Sequence, residues 1–380
     1  MRVIGLLKRI ISTVAIFVLG FACCAEAVAL DNASVSAQCA VLVDSTSGSV
    51  LYGKNEHQRA SMASTTKIMT ALILCEQPDL SKNITVTDKM VRVEGSSMGL
   101  LEGDVVSYHD LLYGLLLASG NDAANAVALS VAGSFENFAK LMNERAKAIG
   151  MNNTNFVTPS GLDDDNHYST AYDMALLTCE AMKNPYFAEA CKCETARLEF
   201  GNPPYKRTIR NHNKLLQMYD NCVGVKTGFT KKSGRCLVSC AEDSDKRVIA
   251  VTLNAPDDWN DHIKLLNYGL DSLTTRQFDL SNHLKSVRVI GGDKDNISLS
   301  VNKVSVSLPE AEFDKLTYKI DFVKDAFAPI NKGTKLGSIS ICIDNKVIKK
   351  VDCVAAENVG VFSPNTNKNI LYWFGRLLSA

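Results

Sequence analysis

Three short clusters of this chain carry side chains that can transfer an acyl group: Ser64-Thr65-Thr66-Lys67, Ser119-Gly120-Asn121 and Lys226-Thr227-Gly228, in that order. A serine hydroxyl is a weak nucleophile near neutral pH and needs a base within hydrogen-bond reach. Ser64 opens an apolar run, Ile68-Met69-Thr70-Ala71-Leu72-Ile73-Leu74, with no Gly or Pro before Cys75, which predicts a buried helix starting near the serine. Residues three apart share a helix face, so the Lys67 amine can meet the Ser64 hydroxyl. Burial at the mouth of a helical core, with a second cation at Lys226, favours the neutral, basic form of Lys67. The helix start also leaves free N–H groups and a positive dipole end where an oxyanion would develop. Spacing alone is not distinctive, because Ser300 to Lys303 is another SxxK, and Ser81, Ser300 and Ser363 each begin an SxN. Residues 298–306 alternate polar and apolar apart from the adjacent Asn302 and Lys303, which predicts a strand with Ser300 and Lys303 on opposite faces.

The elements around the other two clusters are equally suggestive. Residues 111–118 and 123–129 are apolar stretches, so Ser119 to Asn121 is expected as a short polar loop braced between buried helices. There Ser119 can relay a proton, and the Asn121 amide can donate and accept toward a peptide. Residues 222–230, a Gly-containing turn at 231–235 and residues 236–240 predict a β-hairpin, with the third cluster near the end of its first strand. Lys226 and Thr227 offer a cation and a hydroxyl to a carboxylate, and Gly228 admits a close backbone approach. The Phe229 N–H is then a second oxyanion donor beside that of Ser64. Taken singly, the clusters also read as an N-cap with a solvated lysine, a helix-to-helix turn and an exposed hairpin. Their order and setting argue for one site.

The chain resembles the low-molecular-mass penicillin-binding proteins of the D-alanyl-D-alanine carboxypeptidase type, active-serine enzymes that trim peptidoglycan stem peptides. The three clusters carry the resemblance, as do Gly95-Ser96-Ser97-Met98, Thr158-Pro159-Ser160-Gly161-Leu162 and residues 111–124, 167–175, 211–216, 328–333 and 336–337, over essentially the whole mature chain. It implies Ser64 as the acylated nucleophile, Lys67 as its base, Ser119 and Asn121 as a second catalytic element, and Lys226 with Thr227 as binders of a terminal carboxylate. It implies a stem peptide ending in D-Ala-D-Ala as substrate, β-lactams as covalent inhibitors, and no cofactor. Two departures stand out. Some relatives have a histidine where this chain has Phe229, and others carry an arginine in the loop before a helix expected here at residues 261–270, where this chain reads Asp257-Asp258-Trp259. If that arginine helps hold a carboxylate, Lys226, Thr227 and Arg210 take a larger share here. A D,D-endopeptidase acting on cross-links would use the same groups. A class A β-lactamase needs a glutamate that activates deacylating water, whereas residues 161–173 look like the carboxypeptidase version. A non-enzymatic wall-binding protein is opposed by the filled nucleophile and base positions.

The rest of the chain bounds the setting. It has 41 basic and 41 acidic residues, a balance with no electrostatic footprint for nucleic acid. Arg2, Lys8 and Arg9 precede an apolar run at 10–23, and Ala25-Glu26-Ala27 has cleavage-site spacing, so residues 1–27 are expected to be a secretory signal peptide. The enzyme is accordingly expected outside the cytoplasm, attached to the outer face of the cytoplasmic membrane. A retained anchor is the alternative, although the run is short for a span. Ten cysteines remain after residue 27, which in a secreted protein suggests disulfides. Yet Cys75, Cys179, Cys236, Cys240 and Cys342 fall at apolar, core-like positions, where thiols pack as small hydrophobes. Cys191 and Cys193 lack a matching pair and the histidines are scattered, so no metal site is expected.

Roughly 350 mature residues predict two domains. Residues 28–275 read as an α+β catalytic domain of the β-lactamase/transpeptidase-like kind, in which early strands (40–43, 50–52) and late strands (237–239, 248–253) share one antiparallel sheet under helices. Residues 276–362 alternate in short runs, at 286–290, 297–306, 315–323, 335–343 and 347–354, and read as a small β-rich C-terminal domain. The tail, 363–380, spaces its apolar residues as an amphipathic helix that either lies on a membrane or packs on the β domain.

Overall fold

The computed structural model describes residues 30–31 and 34–362; the expected signal peptide and the amphipathic tail lie outside the described residues. The first few residues form a separate unit, in which Ser34 Oγ donates to the Asp31 carbonyl. The main unit opens with antiparallel strands β1 (Cys39–Asp44) and β2 (Val50–Lys54). Every residue of β1 is buried, and residues 39–43 are a continuous apolar run instead of an alternation, closed by the buried Asp44. One turn of 3-10 helix (Ala63–Thr66) then runs into α1 (Lys67–Cys75), all of whose residues are buried. A helix that is apolar all round belongs at the centre of a core.

Around α1 stand α2 (Tyr108–Leu116), α3 (Asn121–Ala132), α4 (Phe135–Ile149), α5 (Ala171–Ala181) and α6 (Pro185–Lys192). Hydroxyls of Ser107, Ser134 and Thr170 cap α2, α4 and α5 by accepting the N–H three residues on, and Asn184 caps α6. A hairpin follows, β3 (Thr195–Gly201) with β4 (Pro204–Arg210). Next come β5 (Cys222–Thr230), β6 (Gly234–Asp243) and β7 (Lys246–Leu253). They complete a five-stranded antiparallel sheet in the order β2-β1-β7-β6-β5, with Val41 and Val238 both opposite Val251. The expected sharing of one sheet by the chain's early and late strands is what the fold contains.

On the far face of the sheet lies α7 (Asp258–Asp271), packed so closely that a Cβ on Gly269 would come within 3.0 Å of Leu42 Cδ2. It begins three residues before the expected start, because its first turn has distant partners: Asp258 takes Arg235, and Asp261 accepts from Ser36 N, Ser36 Oγ and Ala37 N.

The remaining strands are β8 (Leu273–Phe278), β9 (Val287–Ile290), β10 (Asn296–Ile297), β11 (Leu299–Ser300), β12 (Val304–Pro309), β13 (Thr317–Phe322), β14 (Asp325–Phe327), β15 (Lys335–Ile343) and β16 (Lys346–Ala355). They build three small sheets, β8-β12, β10-β9-β14 and β11-β16-β15-β13, around a second apolar core that includes Ile297, Leu308, Ile339, Ile341 and Val359. The strand expected at 297–306 is broken at residue 298 and at residues 301–303, because Ile297 pairs with β9, Leu299 and Ser300 pair with β16, and residues 304–306 pair with β8. Ser300 and Lys303 therefore share no helix turn, and the second SxxK stays away from the first. The ten described cysteines are all free thiols, and no group of His, Cys, Asp or Glu among the described residues is arranged to hold a metal.

Candidate active site

The site is assembled where α1 meets the edge strand of the sheet. Ser64 sits in the 3-10 turn, and Lys67 is the first residue of α1. Lys67 Nζ donates to Ser64 Oγ at 2.9 Å and to the Ser160 carbonyl at 2.8 Å. Complete burial, and then the charge of Lys226, hold the Lys67 ammonium well below its ordinary range, with Asp122 pulling the other way. Desolvation penalises the charged form, so this lysine is poised to be neutral and basic.

Ser160 belongs to a loop at 157–167 that is fastened to the serine turn at several points. Thr70 Oγ1 donates to the Pro159 carbonyl at 2.6 Å. His167 Nδ1 accepts from Val157 N (2.9 Å) and Thr158 N (3.3 Å), which leaves Nε2 to donate to Thr66 Oγ1 at 2.8 Å. Burial lowers the His167 pKa to about 4, which keeps the ring in this neutral form. Gly161, at φ 85°, lies so close that a Cβ there would stand 1.9 Å from the Ala63 carbonyl oxygen.

Ser119 lies between α2 and α3 at φ 56°, a left-handed conformation that few non-glycine residues adopt. Asn121 is the first residue of α3 and not part of the preceding loop. Its N–H donates to the Ser96 carbonyl (2.8 Å) and its Nδ2 to the Glu94 carbonyl (2.5 Å), so that N–H group is committed to the protein. Next to it, buried Asp122 accepts from Ser97 Oγ and from the N–H groups of Met98, Gly99 and Leu100. The segment that contributes Ser96 is held by this carboxylate together with the two Asn121 bonds.

The third cluster lies on β5. Lys226 is buried, gives its Nζ to the Thr227 carbonyl at 2.9 Å, and is brought by desolvation to about 7. Gly228 packs on the serine turn: a Cβ there would come 3.0 Å from the Met62 carbonyl oxygen and 3.1 Å from Thr65 N. No larger residue fits that seam without moving the turn. Phe229 is 65% exposed at the lip.

A cleft of about 360 Å3 joins these parts. Ser64, Ser119, Thr227, Gly228 and Phe229 line it, together with Ser96, His212, Lys214, Arg235, Asp258 and Trp259. Of the residues singled out in the sequence, Lys67, Asn121 and Lys226 stand behind this lining as buried supports. Arg210 ends β4 opposite Thr195 and is not among the lining residues. The residues missed from sequence are Ser160, His167, Asp122 and Arg235. Only Arg235 had a local signal, since the hairpin register places it opposite Phe229.

A serine at the head of a central buried helix, a desolvated lysine on its hydroxyl, and a Lys-Thr-Gly strand along the cleft define an active-serine acyl-transfer enzyme on the transpeptidase-like α+β fold. A family description of D-alanyl-D-alanine carboxypeptidase matches residues 26–257, and one of the penicillin-binding protein 5 C-terminal domain matches residues 274–361. The chain belongs to the D-alanyl-D-alanine carboxypeptidase family, serine peptidases of the bacterial cell wall that bind penicillin. It is 33% identical to D-alanyl-D-alanine carboxypeptidase DacF of Bacillus subtilis, covering 85% of this chain and 86% of that one. It is 34% identical to D-alanyl-D-alanine carboxypeptidase DacC of Escherichia coli, covering 86% and 85%. Among solved structures it is similar to penicillin-binding protein 5 from Haemophilus influenzae, with a TM-score of 0.62 and 28% identity over 87% of this chain and 99% of that one.

Proposed function

We propose that this enzyme removes the terminal D-Ala from peptidoglycan stem pentapeptides through an acyl-enzyme on Ser64. The observation that carries the assignment of residues is the 2.9 Å hydrogen bond from a fully buried lysine, Lys67, to the serine hydroxyl. Neutral Lys67 takes the Ser64 proton as Oγ attacks the carbonyl of the penultimate D-Ala. The Ser160 carbonyl keeps the amine in place during that transfer. Oxyanion charge is met by the Ser64 and Phe229 N–H groups, a kind of contact whose loss typically costs about 10² to 10³ in rate. The terminal D-Ala leaves as an amine, protonated by Lys67 through Ser119, and water then releases the trimmed peptide. Asn121 braces the wall that carries Ser96, while Lys226, Thr227 and Gly228 form the substrate-facing strand. A β-lactam, whose strained amide presents a carbonyl to the same serine, is trapped as a stable acyl-enzyme.

The basic, apolar and small-residue succession of residues 1–27 supports export, and the aromatic-rich 370–378 segment supports attachment to the outer face of the cytoplasmic membrane. Deletion from Lys368 onward should release the protein from the membrane fraction; unchanged fractionation would remove the anchor. The chemistry is tested by free D-Ala released from a soluble peptide ending in Lys-D-Ala-D-Ala, with the parent and Ser64→Ala. Release by the parent alone is expected. A folded parent that takes up labelled penicillin and releases no D-Ala acts instead on cross-linked substrates.

A further inference from the structure

A second cleft, of about 350 Å3, opens at the end of the five-stranded sheet that lies away from the catalytic lip. The lip is at the β5–β6 turn, where Thr230 pairs with Gly234, whereas this cleft lies beside the β6–β7 turn, where Asp243 pairs with Lys246. The ten residues of β6 separate the two turns, about 30 Å of extended chain. The two clefts share no lining residue. The β1–β2 turn supplies Ser45 and Thr46, and the end of α5 supplies Cys179 and Lys183. The C-terminal part of the chain closes the cleft with Lys346, Val347 and Ile348 at the start of β16. The cleft is thus a seam between the catalytic and C-terminal parts. Lys346 Nζ crosses it and donates to the Ser47 carbonyl at 3.0 Å.

Four cationic side chains, Lys183, Lys246, Arg247 and Lys346, line this seam against two carboxylates, Glu242 and Asp245. Like charges gathered in one hollow repel unless counter-charges are brought to them. Two of the four are answered within the protein, Arg247 by Glu242 at 2.6 Å and Lys183 by Glu180 at 2.8 Å. The other two are capped by backbone carbonyls, Lys346 by that of Ser47 and Lys246 by that of Leu270 at 2.7 Å. An ammonium carries three N–H donors, and a neutral carbonyl leaves its charge uncompensated. Asp44, the buried carboxylate behind the β1–β2 turn, is occupied by Thr46 N, Ser47 N and Ser47 Oγ. Two ammoniums therefore face one remaining carboxylate, Asp245, which lies exposed in the β6–β7 turn. Hydroxyls of Ser45, Thr46 and Ser244 add further donors to the lining. Compact ammoniums and hydroxyls that converge from separate elements suit the several oxygens of a phosphate group.

We propose that this seam is a phosphate-binding site in which Lys246 of the catalytic part and Lys346 of the C-terminal part share one phosphate group, so that the ligand ties the two parts together. The site stands apart from the reaction at Ser64 and does not depend on it. Its test is calorimetric titration of the full chain with sodium phosphate, glycerol 3-phosphate and poly(glycerol phosphate), against sodium acetate at matched ionic strength. At least one of the three phosphates should half-saturate at or below about 1 mM, which is within reach of a five-atom ion, while acetate gives no saturable heat. The tightest of the three identifies the source as the free ion, a monoester or a phosphodiester polymer. Lys246→Gln and Lys346→Gln should each raise that Kd by about 10- to 100-fold, the size of a lost charged hydrogen bond. Both should take up labelled penicillin at the parent rate, because the catalytic lip is about 30 Å away. Lys319→Gln, on β13 and outside the cleft, should bind as the parent does. Absence of saturation below about 10 mM in all three titrations, heats equal to those of acetate, or a parent-like Kd in both cleft variants overturns the proposal. If either cleft variant does not fold, the acetate comparison and the other variant decide it.

Discussion

Replacing Gly161 by alanine tests whether the 157–167 loop is part of the catalytic apparatus or only its neighbour. The glycine has φ 85°, and an added Cβ would stand 1.9 Å from the Ala63 carbonyl oxygen, 2.5 Å from the Ala63 carbonyl carbon and 2.7 Å from Thr66 Oγ1. Opening the first contact from 1.9 to 3.0 Å requires a displacement of about 1.1 Å, since carbon rarely approaches closer. Two of those three atoms belong to Ala63, which precedes Ser64, so the loop is the part free to retreat. The Ser160 carbonyl, now 2.8 Å from Lys67 Nζ, would recede to about 3.9 Å if it moves with the loop, beyond hydrogen-bond reach. A left-handed alanine costs about 1–2 kcal/mol, and a buried amine that loses an acceptor costs about 1–3 kcal/mol. Gly161→Ala should therefore lose about 2–5 kcal/mol in urea unfolding. A misplacement of about 1 Å in the base should slow acylation on the order of 10²-fold. Both quantities are accessible, the first by circular dichroism and the second by time-resolved uptake of labelled penicillin. Acylation within about threefold of the parent, in a protein destabilised by less than about 0.5 kcal/mol, would show that Ser160 does not position Lys67.

Two further consequences follow from buried titratable groups. His167 and His262 are neutral in the fold, brought by burial to about 4 and about 3, and His262 is wedged between Ser239 Oγ and Thr252 Oγ1. Below an unfolded value of about 6.5 the unfolded chain binds protons that the folded chain refuses, so their contribution is complete above that pH and is lost as pH falls. From pH 6.5 to 5 each histidine should cost about 2 kcal/mol, and His262→Gln should flatten roughly half of that slope; denaturation midpoints that are level across this window would contradict it. Asp122→Asn removes the charge that holds Ser97, Met98, Gly99 and Leu100. A loss of about 2–4 kcal/mol and a raised KM are expected, because the segment carrying Ser96 loosens; parent-like stability and KM would show that the segment holds itself.

Much of the site was legible because its parts obey short-range rules. Ser64 and Lys67 are three residues apart on an apolar run, so helical geometry alone brings amine and hydroxyl together. Alternation and a Gly-containing turn similarly disclose the β5–β6 hairpin, and with it the Lys-Thr-Gly edge. Periodicity also made the α+β layering and the β-rich C-terminal domain readable. It misled at residues 301–303, where the adjacent polar residues Asn302 and Lys303 interrupt the alternation as the chain passes from one sheet to another. The start of α7 was misplaced for a related reason, since partners as distant as Ser36 satisfy its first turn.

What only the tertiary structure decided is which distant group completes each local one. Lys67 takes the carbonyl of Ser160, Thr66 takes His167, Asn121 takes the carbonyl of Glu94, and Arg235 takes Asp258. Each pairing joins segments 23 to 101 residues apart. Residue types and spacing determine what a short segment can do chemically, because backbone geometry within one turn or one strand pair is nearly invariant. The partner that desolvates, tethers or orients that group is chosen by the packing of whole helices and sheets, so the base strength of Lys67 and the aim of Arg235 come into being only when the chain folds.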